Sequence, residues 1–149
     1  METYFSVRQA LEAVEEQRSE TARMRRNVAI LEARCTSGTG NVTVGYTGGG
    51  GRGDLMDRLC EAREELEEQE RRQAELETHV NRWIGLLPRM RWRMVLRWRY
   101  LSGMELQEVA EELTKATGRA FSVHQIYRLH RDALLAAEKV WPLQRAGQP

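Results

Sequence analysis

Ten positions between Leu55 and Leu87 recur at alternating spacings of four and three: Leu55, Leu59, Ala62, Leu66, Gln69, Gln73, Leu76, Val80, Trp83 and Leu87. Eight of the ten are apolar. A seven-residue repeat kept this long draws one stripe down a helix, predicted here over residues 54–87, and requires a partner helix along its length. That demand narrows the fold class to all-α. With 30% charged and 7% aromatic residues, the composition suits an elongated helical protein better than a compact enzyme with a large core.

The partner is legible upstream. Within residues 2–35, Val7, Leu11, Val14, Met24, Val28, Leu31 and Cys35 fit the same repeat, with Arg18 and Thr21 interrupting it. If residue i faces residue 89 − i to within about two positions, Leu31 meets Leu59, Val28 meets Ala62, Met24 meets Leu66 and Val14 meets Leu76. The polar interruptions coincide as well, Thr21 opposite Gln69 and Arg18 near Gln73. A mismatch there would bury a polar group against hydrocarbon at about 1–3 kcal/mol. Two separate stretches sharing one polar layer favour an antiparallel helical hairpin within one chain, although the same seams would serve a homo-oligomer. On this reading, replacing Gln69 and Gln73 by Leu should raise thermal stability.

Residues 36–53 join the two helices as a Gly-rich loop with eight glycines, four of them consecutive at Gly48–Gly51. Such a composition buries too little to order itself. The nominal G-x-G-x-x-G at Gly48, Gly50 and Gly53 lacks the preceding strand that a dinucleotide site needs. Asn41-Val-Thr43 and Arg52-Gly-Asp54 read as chance, and the alternation of Val42, Val44 and Tyr46 suits ordering against a partner. Asp54 is the expected N-cap of the second helix.

Residues 1–87 thus form one region, and residues 88–141 a second. Pro88 separates them. Arg89–Tyr100 alternates apolar and basic residues like a strand, yet Leu87, Met90, Met94, Trp98 and Leu101 fit a helix equally well, and a lone strand has nothing to pair with. After Ser102-Gly103 a short acidic helix follows, with Leu106, Val109, Ala110 and Leu113 on one face. Ala110 is the small residue that a close, steep helix crossing needs. Thr114–Ala116 adds a turn that ends near Gly118. Ser122 then starts a new helix: it is a good N-cap, Gln125 completes a capping box, and Phe121 can staple onto Ile126. Ile126, Leu129, Ala133 and Val140 form the inner face of that helix. Residues 142–149 read as a tail.

A net charge of +1 conceals strong segregation. Residues 54–81 carry a net −6, residues 82–104 a net +6 from six arginines without an acid, residues 105–118 a net −3 and residues 119–149 a net +3. Basic blocks therefore flank the last two helices, as an electrostatic footprint on phosphate requires. Two cysteines with no zinc spacing, and acids spread along coiled-coil surfaces, point to no catalytic centre, metal or cofactor. No apolar run reaches the ~18 residues of a membrane span, and no secretory signal opens the chain, so a cytoplasmic protein without membrane contact is expected.

Leu96–Leu101, Glu108–Leu113 and Ser122–Leu134 together resemble the fourth region of bacterial sigma factors, and Gln125–Leu134 resembles the phage and prophage transcription regulators of the RinA/ArpU type. The likeness covers roughly residues 94–136; upstream it is architectural only. It implies a helix rather than a strand at Arg89–Tyr100, and a helix-turn-helix whose second helix enters the major groove of double-stranded DNA. His124, Gln125, Tyr127, Arg128 and Arg131 then become base contacts, and Arg97, Arg99 and Ser122 phosphate contacts. Activation of phage genes and a further contact with RNA polymerase are implied likewise. One departure stands out: Leu113 to Ser122 is about six residues longer than the usual tight turn, which leaves open the angle of the last helix. Two other readings remain, a small-terminase-like packaging protein and a scaffold that binds a protein partner such as RNA polymerase.

Overall fold

The computed structural model describes Tyr4, residues 6–41 and residues 50–143, with side chains outside 37–52. The described residues are helical without any strand: α1 (Val7–Asn41), α2 (Gly50–Ile84), α3 (Met90–Leu96) continuing into a wider π-helical turn (Arg97–Leu101), α4 (Leu106–Thr117) and α5 (Val123–Val140). Both long helices invade the expected loop at 36–53. Adding a residue to an existing helix needs no new nucleus, so each hydrogen bond gained fixes only one residue. Thr36 supports that growth by donating its hydroxyl to the Glu32 carbonyl at 2.8 Å. Asp54 lies inside α2, not at its cap, and pairs with Arg58 at 3.1 Å. Val42, Val44, Tyr46 and Gly48 lie outside the described residues.

Contacts gather the chain into two compact units, Gln17–Ala74 and Met1–Glu16 together with Glu75–Pro149. In the first unit Val28, Leu31, Leu59 and Ala62 bury together, joined by half-buried Cys35, Leu55 and Leu66. A polar layer also occurs there, with Thr21 and Gln69 both buried. Its bonding departs from expectation. Gln69 donates to the Gln17 carbonyl at 3.3 Å and to the Gln17 side-chain oxygen, while the Thr21 hydroxyl donates to the same carbonyl at 2.9 Å. Arg63 pairs with Glu32 at 3.2 Å and Arg25 with Glu70 at 3.7 Å, exposed contacts worth about 0–1 kcal/mol each.

The second unit has two cores. In one, Val7, Ala10, Leu11 and Val14 of α1 bury with Val80, Trp83 and Ile84 of α2, with Leu87 and Leu96, and with Ala133, Ala137 and Trp141. Trp83 lies 5.6 Å from Trp141 and meets Tyr4 edge-on at 6.5 Å. Glu138 accepts from the first backbone N–H of α1, that of Val7, at 2.8 Å. The last turns of α2 belong to this unit, because they bury their apolar stripe against the same cluster as α5.

In the other core Val95, Val109, Ala110, Leu113 and Ile126 bury together, with Met94, Trp98, Met104, Leu106, Phe121 and Leu129 around them. Helix α3 and its π-turn lie between the two cores. Trp92, Leu96 and Tyr100 go to the first, and Met94, Val95 and Trp98 to the second. The strand-like alternation of the sequence is therefore two helical stripes at i, i+4 spacing, one for each side. In the wide turn the Ser102 N–H reaches the Arg97 carbonyl at 3.0 Å, and Gly103 at φ 74° turns the chain toward α4.

Candidate nucleic-acid interface

Helix α4 opens with a capping box, the Glu105 N–H donating to Glu108 at 3.3 Å, and carries the extra turn to Thr117. It stops at Gly118, left-handed at φ 74°, whose N–H donates to the Thr114 carbonyl at 2.9 Å. Thr114 also organises the long connection: its hydroxyl donates to the Ala110 carbonyl at 2.8 Å and accepts from the Phe121 N–H at 3.0 Å. The lengthened turn is thus tied down one residue before Ser122.

At the start of α5 the Ser122 hydroxyl accepts from the Gln125 N–H at 3.2 Å, and the Gln125 side-chain oxygen accepts from the Ser122 N–H at 2.8 Å. Ile126, Ala133 and Ala137 form the buried seam; Leu129 is half-buried, and Val140, expected inside, is 41% exposed. Away from that seam the first turns of α5 present Val123, His124, Gln125, Tyr127, Arg128 and Arg131, all exposed. The five residues expected on base edges therefore lie on accessible surface of one helix. Two have commitments: the Gln125 oxygen belongs to the cap, which leaves its amide NH2 to donate, and Arg131 lies 3.8 Å from Asp132. Residues 119–131 hold three arginines and no acid.

Two of the expected phosphate contacts have partners within the fold. Arg97 donates through Nε to the Asn81 side chain at 2.8 Å, and Arg99 is paired with Glu15 at 3.2 Å with 26% of its side chain exposed. Among their neighbours, Arg93 donates to the Leu87 carbonyl at 2.6 Å and Arg89 stacks on Trp92 at 4.9 Å. A basic run thus serves largely to fasten helix ends within its own unit. Arg91 reaches the start of α5: its guanidinium lies over the Phe121 ring, 5.2 Å from the centroid, one residue before the cap. Stacking on a ring face leaves the N–H edge available to an anion. Ser122 is exposed, and its hydroxyl proton is not used by the cap. Sequence reasoning overlooked Arg91 because nothing local distinguishes it from the other arginines of the run.

His130 is half-buried and shares a hydrogen bond of 2.7 Å with the Tyr100 hydroxyl, the rings stacked at 5.7 Å. Burial, with the Arg99 charge adding to it, holds its imidazole below the usual histidine range. Burial likewise raises the Tyr100 phenol. Both groups fasten α5 to the π-turn and take no part in the exposed face.

Among the described residues no helix is long and apolar enough to cross a membrane. Comparison of the chain with protein-family models, with curated proteins and with solved structures gives no match.

Proposed function

We propose that the chain is a sequence-specific DNA-binding transcription regulator of the RinA/ArpU type, an activator of phage or prophage genes. In this reading α4 and α5 form a helix-turn-helix, and the first two turns of α5 enter the major groove. The pairings Gln17 with Gln69, Arg25 with Glu70 and Glu32 with Arg63 fit an antiparallel hairpin that precedes it. The observation that carries the proposal is the exposed face of α5: His124, Gln125, Tyr127, Arg128 and Arg131, within a stretch that holds three arginines and no acid. Arg and Gln supply the donor patterns that read guanine and adenine edges. Glu108 and Glu111 are exposed on α4, so phosphate is approached from the α3 side, where Arg91 stands beside Phe121.

The test is selection of duplexes from a random library with the purified chain, followed by binding measurements at fixed salt. Enrichment of one motif is expected. Arg128→Ala should then lower discrimination between the motif and random DNA by about 1–3 kcal/mol. Equal loss on both would remove Arg128 from base readout, and no enrichment would remove the proposal. Footprints in a phage-infected or lysogenic host would assign the genes.

A further inference from the structure

In the first two turns of α5 two large side chains, Val123 and Tyr127, have no place in either core. Val123 is 38% exposed and Tyr127 is 55% exposed, and neither packs into the clusters that hold α5. Four residues apart, they form one row along the helix; His124 and Arg128 form the adjacent row. An apolar row beside a hydrogen-bonding row, within a stretch free of acid, defines what such a face can recognise. On the floor of the major groove one base alone presents an apolar group, thymine with its C5-methyl. Val123 and the ring carbons of Tyr127 gain by covering the methyl and offer no hydrogen bond to the polar edges of the other bases.

We infer that Val123 and Tyr127 read thymine methyl groups next to the base edges bonded by His124 and Arg128. This rests on the DNA-binding reading above and adds the chemistry of the target. Each site contacted by α5 should contain at least one thymine whose methyl group, not its hydrogen-bonding edge, is recognised.

The probe is the duplex selected from the random library, with each thymine replaced singly by deoxyuridine, which removes the methyl and leaves the pairing intact. At one or two thymines the full-length chain should bind about fourfold more weakly, the effect of one methyl group buried. Val123→Ala or Tyr127→Ala should abolish the difference between thymine and uracil at the corresponding position, whereas Arg128→Ala should retain it. Both apolar residues lie outside the cores, so the alanine variants keep the parent's helical circular dichroism. A selected duplex bound equally well with every uracil substitution overturns the inference and leaves the DNA-binding reading standing. So does methyl sensitivity that survives in both apolar variants. Failure to select any duplex overturns both.

Discussion

Arg91 and Arg97 belong to the same basic run, yet the structure gives them opposite roles, and a salt titration separates them. Each phosphate neutralised by a protein cation contributes about 0.9 to the slope of log K against log salt on duplex DNA. Arg91 stacks on Phe121 and pairs with no carboxylate among the described residues, so Arg91→Ala should lower the slope by about 0.9. Between about 50 and 200 mM salt the parent then loses about 3.5-fold more affinity than the variant does. Loss of the cation–π contact should also cost about 0.5–1 kcal/mol of folding stability, to be measured separately by denaturation. Arg97→Ala removes the Nε bond to Asn81 and should cost about 0.5–1.5 kcal/mol of stability, leaving the slope unchanged. Fluorescence anisotropy on selected and random duplexes, at five or more salt concentrations, reads both variants. An unchanged slope for Arg91→Ala, or a drop of a full contact for Arg97→Ala, would refute the division of labour.

Three further outcomes follow from packing and charge. Ile126 is fully buried between α3, α4 and α5, so Ile126→Ala should cost about 2–5 kcal/mol in urea denaturation; a loss below 1 kcal/mol would show that this core is not closed. Gln69→Leu alone should now lower stability by about 1 kcal/mol rather than raise it, because it strands the half-buried Gln17 oxygen. Gln17→Leu with Gln69→Leu should recover that loss, and additive effects in the double-mutant cycle would count against the pair. His130 has a folded pKa below its unfolded value near 6.5, so the unfolded chain takes up the proton first and stability is complete above that value and lost as pH falls toward the folded pKa. The parent should therefore lose more Tm between about pH 7.5 and 5.5 than His130→Gln, and equal losses would contradict an imidazole held below its ordinary range.

What the amino-acid order determined by itself is what acts over three or four residues. The stripes at Leu55–Leu87 and at Ile126–Ala133, the cap at Ser122 with Gln125 and the stop at Gly118 were readable because each is a relation between neighbours on one helix. Local rules also set the limits of that reading. Arg89–Tyr100 looked like a strand because two helical stripes, one for each core, interleave at alternate positions, and only the presence of both cores reveals them. The tertiary structure alone decided which partners these arginines meet. Asn81 and Glu15 lie far from Arg97 and Arg99 along the chain, yet folding places them within hydrogen-bonding reach, while Arg91 is set on Phe121 at the mouth of α5. A guanidinium is equally charged wherever it stands, and its role depends on which acceptor the fold delivers to it.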